Sequence, residues 1–299
     1  MPKSLGQIHT VNFSKTVNAS GDIKNCDLSA ELTQQLQRMV RQGNIFKVVG
    51  IDLGMTTQGL IGGGQVSGYL RYYAPTKGRC SAYRDAYRTM LNAMKLQGIN
   101  HRDNHQYDFK VGFNGEGPAL SDGGTLENQA SLDGTLPLTL GPQGNVAAGT
   151  TSVFTVHNSG VTPRTTSSTN LFPSGYNTMG VQSTPTDFVL NDSVIWTGNS
   201  DYAETSFEQI PFMMSWTPDS TDLAVSFNWR PDPALYLAIL AGQIQVFIEE
   251  LNKDGSAPAL EIEMAIHIAG WKSFMSTKKS RKSRTKKSRK SSKRRSRKV

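Results

Sequence analysis

Leu260-Glu-Ile-Glu-Met-Ala-Ile-His-Ile268 decides the fold class of this chain. Leu260, Ile262, Met264, Ile266 and Ile268 alternate with Glu261, Glu263, Ala265 and His267, the period of a strand with one face in a core and the other in water. The strand is expected to end at Gly270-Trp271. Residues 207–216, 223–229 and 235–250, just before it, also read as strands. Further back, Gln65-Val-Ser-Gly-Tyr-Leu-Arg-Tyr-Tyr73 alternates and is stopped by Pro75, which has no N–H to give a ladder. Ile45 to Leu53 is rich in Val and Ile, Val11 and Phe13 share one face of residues 9–17, and Tyr107 to Phe113 predicts another short strand.

Helical spacing occurs in two places. Leu28, Leu32, Leu36, Met39 and Val40 follow Asp27, a capping residue, and precede Gly43, where a glycine stop belongs. Tyr83, Tyr87, Met90, Leu91 and Met94 form an apolar stripe between Gly78 and Gly98, with Arg84, Arg88 and Lys95 off it. From Asn114 to about Ser183 the composition turns to Gly, Ser, Thr, Asn and Pro, which predicts long surface loops with β-like islands such as Thr151 to His157. Strands at short spacing, long loops and one or two short helices predict an all-β fold, an antiparallel sandwich or jelly roll occupying residues 1–276.

The charge is divided sharply along the chain. Of its 32 Lys and Arg residues, 14 lie between Lys278 and Val299, where there is no acid. They are Lys278, Lys279, Arg281, Lys282, Arg284, Lys286, Lys287, Arg289, Lys290, Lys293, Arg294, Arg295, Arg297 and Lys298. Residues 1–277 keep 18 basic side chains against 24 acidic ones, a net charge of −6. A non-basic body with a polycationic tail implies a nucleic-acid or anionic-surface arm rather than a uniformly basic binding domain.

Within the arm, residues 277–299, Ser280-Arg281-Lys282 recurs as Ser288-Arg289-Lys290 and Ser296-Arg297-Lys298, every eight residues. Apart from Val299 no apolar side chain is present, so nothing offsets the entropy of folding, and the arm is predicted to be disordered when free. Each cation that meets a phosphate releases condensed counterions, which makes the binding strong, indifferent to base sequence and steeply salt-dependent. The same run fits a nuclear localisation signal, and so nuclear import receptors as further partners. Its serines and threonines are potential phosphorylation sites.

A second basic stretch alternates with aromatics: Arg71, Lys77, Arg79, Arg84 and Arg88 lie among Tyr69, Tyr72, Tyr73, Tyr83 and Tyr87. Bases stacking on tyrosines with cations on phosphates is one reading, and these five cations are the candidate secondary nucleic-acid contacts. A helix packing its tyrosines on a sheet with its arginines in water is the other.

Cys26 and Cys80 are the only cysteines, in no CxxC pair, so neither a disulfide framework nor a cysteine zinc site is expected. No signal peptide opens the sequence, and the most apolar stretch, Ala234 to Phe247, is too short for a membrane span. No catalytic constellation stands out. His101 and His105 have metal-ligand spacing but no third ligand, and His101-Arg102-Asp103 lacks the Asn and the glycine-rich loop of a kinase. Gly62–Gly64 lacks the ending of a P-loop. The sequence therefore implies no enzyme, cofactor or metal.

Three features resemble the single jelly-roll coat proteins of small circular single-stranded DNA viruses. They are Val66-Ser-Gly-Tyr-Leu-Arg-Tyr-Tyr-Ala-Pro-Thr-Lys-Gly-Arg-Cys80, the closing strand 259–269 with Gly270-Trp271, and the arm 278–298. The resemblance implies an eight-stranded jelly roll, many copies closing into an icosahedral shell, and arms turned inward on a single-stranded DNA genome, with RNA as the other polyanion such an arm accepts. It further implies a virion protein that passes through the host nucleus during assembly. In circovirus-like coats the arm precedes the jelly roll, whereas here it follows it. The competing classes are a cellular nucleic-acid-binding protein with a β-rich domain and a basic nuclear-targeting tail, and an enzyme with a targeting tail.

With 14 charges engaged on a single strand, log K against log salt is expected to slope at about −10, from about −0.7 per phosphate. Deleting residues 278–299 should flatten that slope in a filter-binding titration, and an unchanged slope would remove the arm from the binding.

Overall fold

The computed structural model describes residues 7–58, 63–100, 108–113, 131–132, 136–141, 151–160, 195, 205–216, 222–232, 235–253 and 260–275. Its frame is two antiparallel sheets packed face to face. The first takes strands β1 (His9–Val17), β12 (Leu260–Ser273) and β3 (Asn44–Gln58) in that order. β9 (Asp222–Trp229) and β10 (Leu237–Leu240) share the far edge of β3. The second sheet runs β2 (Ile23–Asp27), β11 (Gln243–Lys253), β4 (Gly64–Tyr72), β8 (Glu208–Trp216). The all-β sandwich expected from the sequence is therefore present.

The alternation at 260–268 places Leu260, Ile262, Met264, Ile266 and Ile268 in the core beside Val11, Phe13, Leu53, Met55, Val66, Leu70, Val246 and Ile248. β12 does not stop at Gly270. The register against β3 slips between His267 and Gly270, and Gly270 takes up φ 135°, a value that side chains disfavour. The extra residue reverses the alternation, so Trp271 pairs with Phe46 and packs against the core. The edge strands β1 and β2 bear Lys15 and Lys24, which line the gap between the sheets beside Phe13, Cys26 and Val246. Inward charge of this kind blocks edge-to-edge pairing with another chain. β8, at an edge of the second sheet, carries Pro211, a residue that only an edge tolerates.

Helix α1 (Leu28–Leu36) starts where Asp27 accepts from the Ser29 N–H, but it ends at Gln37, left-handed at φ 48°, rather than at Gly43. Beyond it the Val40 N–H donates to Thr33 Oγ1, so Met39 and Val40 lie outside the helix. The segment 235–250 is two strands. Ala241 and Gly242, both at positive φ, turn the chain from the first sheet into the second. β2 is a strand that the sequence did not announce.

β4 and β8 are neighbours, yet 135 residues separate them. The described parts of that insertion form a second core at one end of the sandwich. Helix α2 (Lys77–Leu96), capped by Thr76, contributes Ala82 and Tyr83, and at 20 residues it is not a short helix. The described part of the expected strand 107–113 is not continuous: Lys110 and Gly112 are single bridge residues, Gly112 with Thr139, and the segment contributes Phe109, Val111 and Phe113. Strands β5 (Ser131–Leu132), β6 (Leu136–Thr139) and β7 (Thr151–Ser152) make a small third sheet. β7 runs directly into α3 (Val153–Gly160), so 151–157 is mainly helical. The described residues thus include three helices, and most of the 114–183 stretch lies outside the described residues.

Gln42, fully buried, ties this second core to the sandwich. Its N–H donates to Asp108 Oδ2 (3.0 Å) and its Nε2 to the Val111 carbonyl (2.9 Å). Its Oε1 accepts from the Val111 N–H (2.6 Å) and the Tyr83 hydroxyl (3.1 Å), which also donates to the Phe109 carbonyl. One amide stands in for a missing strand. Gln42→Leu strands buried backbone groups of Val111 and is expected to cost about 2 to 3 kcal/mol, read from urea unfolding, with faster exchange of the Val111 amide.

Candidate nucleic-acid interface

All 14 arm cations, Lys278 to Lys298, lie outside the described residues. The root of the arm is described, and it is anchored. Phe274 packs edge-on to Tyr83 at 5.2 Å in the second core, and Ser273 Oγ donates to the Gly43 carbonyl. The Met275 side chain lies over Gly43 so closely that a Cβ there would meet its Cγ at 2.7 Å. β1 begins beside this root, with the His9 and Trp271 rings 5.7 Å apart, so the described chain enters and leaves the sandwich at one end.

The five secondary cations do not form one patch. Arg71 lies on the outer face of the second sheet, its guanidinium 3.8 Å from the Phe247 ring centre and 4.4 Å from that of Phe207. Arg79 is buried in the protein. It meets Glu208 Oε1 at 2.7 Å and donates to the carbonyls of Ala74 and Ser206. Its guanidinium pins the start of α2 to the start of β8 and is turned away from any surface ligand. Arg84 is half-buried and donates to the Cys80 carbonyl and Ser81 Oγ of its own helix. Only Lys77 and Arg88 of the five are exposed, and Arg88 pairs with Asp85 at 3.3 Å. Among the tyrosines, Tyr73 and Tyr83 are fully buried, as a helix packed on a core requires.

Both ends of the sandwich are of mixed charge, with Lys15 paired to Ile262 at one end and Asp27, Asp108 and Glu208 at the other. Arg38, Arg41, Lys47, Lys110 and Lys272 sit at the end from which the arm departs, on the loop after α1, at the start of β3, beside the second core and at the end of β12. Glu249, Glu250, Glu261 and Glu263 lie toward the other end, on the last half of β11 and the first residues of β12. No local pattern announces which charges share an end, because that depends on which strand ends the topology gathers together.

A cleft of about 300 Å³ opens beside the arm root, lined among others by Arg41, Asn44, Tyr87, Asp108, Trp271 and Met275. Asp108 is only 9% exposed, and burial pushes its carboxyl up to about 6. Behind it, burial also raises the Asp27 carboxyl, whose Oδ2 is buried without a hydrogen bond.

Elsewhere on the first sheet, His267 bridges Thr10 Oγ1 (3.0 Å) and Asp52 Oδ2 (2.8 Å), and Arg230 meets Asp52 Oδ1 at 2.5 Å. Arg230 first, and His267 with it, hold the Asp52 carboxyl below its usual range. Hydroxyl, imidazole and carboxylate follow one another as in a nucleophilic triad. They stand on three neighbouring strands of one sheet, with β1 at its edge. No sequence motif announced the cluster, since its members come from β1, β3, the end of β9 and β12. Burial pushes the Cys80 thiol up to about 11, so it remains a thiol at neutral pH. His101 and His105 lie outside the described residues. Among the described residues there is no group of three or more His, Cys, Asp or Glu that could hold a metal, and no helix is long and apolar enough to cross a membrane.

Comparison with known protein families, with curated proteins and with solved structures finds no match.

Arg79 and Arg88, nine residues apart on α2, should respond oppositely to truncation. Arg79→Met removes the ion partner of Glu208 and the donor to the Ala74 and Ser206 carbonyls, and is expected to cost about 3 kcal/mol of stability. Arg88→Ala should change stability by less than about 0.5 kcal/mol, both read from urea unfolding curves.

Proposed function

We propose that this chain is the coat protein of a small virus, folded as a single jelly roll and packaging a single-stranded DNA genome through its arm. What supports the jelly roll is the order of the strands. Count β9 and β10 as one broken strand, set aside β5 to β7, and the sheets read 1-8-3-6 and 2-7-4-5. The first strand pairs with the eighth, the second with the seventh, the third with the sixth and the fourth with the fifth. A chain folded back on itself as one long hairpin and then wound into two sheets has this pairing, and jelly rolls are built that way, from two Greek keys.

The observation that carries the functional reading is the placement of the arm root. It sits at the end of the sandwich that bears Arg38, Arg41, Lys47, Lys110 and Lys272, away from Glu249, Glu250, Glu261 and Glu263. A shell subunit with that end inward turns the arm and those cations to the genome. Bodies of net charge −6 repel one another, so neutralisation by arm and genome couples assembly to packaging. The chain serves structure rather than catalysis, and its place is the virion, with passage through the host nucleus by way of import receptors that read the same cationic run.

Purified full-length protein, mixed with single-stranded DNA, is expected to form closed particles of uniform diameter by light scattering and negative-stain microscopy. Protein lacking residues 278–299 should yield particles without nucleic acid, or none at low salt. A monomer or small oligomer that binds DNA without forming shells would overturn the coat reading in favour of a cellular nucleic-acid-binding protein.

A further inference from the structure

The cleft beside the arm root lies where the two cores meet, with Val40 of one and Tyr83 and Phe109 of the other in its lining. The geometry points to a binding site for one nucleotide of the single-stranded DNA that the arm holds, with its base between the aromatic lining and Asp108 and its phosphate at Arg41. This rests on the proposal that the arm binds single-stranded DNA.

Size is the first argument. About 300 Å³ lies at the lower bound of small-ligand sites, about 300 to 1,000 Å³, and suits a single nucleoside rather than a stacked run. The lining is the second. Tyr87 and Trp271 are half-buried rings that keep part of their surface in the cleft, and stacking on such rings contributes about 1 to 3 kcal/mol per base. Arg41 is exposed and its charge acts on the Asp108 carboxyl, so it brings a cation to the cleft for a phosphate to meet.

Asp108 is the third argument. It is nine-tenths buried in a cleft wall, and among the described residues only its Oδ2 has a partner, the Gln42 N–H. Its second oxygen suits a donor on the open Watson–Crick edge of an unpaired base, such as the exocyclic amino group of cytosine or adenine or the N3–H of thymine. Burial holds the carboxyl near 6, so a ligand that donates a hydrogen bond stabilises the ionised form that the empty cleft disfavours.

Position completes the case. Met275 lines the cleft and Lys278 follows three residues later, a reach of at most about 10 Å along an extended chain. The first cations of the arm and the cleft thus lie within the span of a few nucleotides. A strand held loosely by the arm would be fixed at one base per subunit.

The test is ultraviolet cross-linking of the full-length chain to an eight-nucleotide oligo-dC, followed by mass spectrometry of the peptides, with oligo-dT as the comparison. Cross-links are expected on Tyr87 or Trp271 as well as on the arm, with either oligonucleotide. Arg41→Ala, which changes an exposed side chain, should lower the cleft cross-links at least about fivefold and leave those on the arm. Cross-links confined to 278–299 would overturn the cleft site while sparing the arm's binding. Failure to retain the oligonucleotide at all, read by filter binding in the same samples, would overturn both. Carbodiimide cross-links between Asp108 and an arm lysine in DNA-free protein would assign the cleft to the arm itself and overturn the nucleotide.

Discussion

The ladder that β12 makes with β1 on one side and β3 on the other is the constraint on which this structure depends. Its pairs, from His9 with Ile268 to Val17 with Leu260, join residues more than 240 apart in sequence. The middle of the first sheet is therefore the last strand of the body to be made, inserted between two of the earliest. Non-local pairing of this kind delays the reward of contact until long loops have closed, which makes such folds slow and exposes their edges meanwhile. The inward Lys15 and Lys24 on β1 and β2 belong to this problem. They guard the edges during the interval in which β1 has no partner.

The second core depends on the same closure. Phe274 and Met275 follow β12 directly and pack with Tyr83 and its neighbours, so the insertion between β4 and β8 gains its last apolar contacts only when the final strand is in place. Gln42 holds the other side of that junction by hydrogen bonds alone. The cleft lies between these two attachments. Its walls come from the loop after α1, from α2, from residues 108–109 and from β12, so its shape reports the docking of the insertion onto the sandwich.

Legibility in the sequence followed the range of the forces involved. β1, β4, β8, β9 and β12 were readable because alternation is a local consequence of lying between a core and water. β2 was not. Ile23-Lys-Asn-Cys-Asp27 is short, and its lysine faces inward, which inverts the pattern. The break at Ala241-Gly242 was hidden because apolar residues flank it on both sides, each group buried in a different sheet. The arm was legible as a polyelectrolyte because that property needs no fold. Arg79 was misplaced among surface cations because its partners, Glu208 and the Ser206 carbonyl, are about 130 residues away. The cluster of Asp52, His267 and Arg230, and the cleft itself, are properties of topology and have no local signature.

The proximity of the start of β1 to the end of β12 has a consequence for ancestry and engineering. Residues 9 and 271 lie side by side at the end of the sandwich from which the arm departs, so a segment that continues from either one leaves at the same place. An arm in front of β1 and an arm behind β12 are then interchangeable parts of one architecture. A cationic tail moved from one end of the gene to the other would still leave the sandwich at the same end.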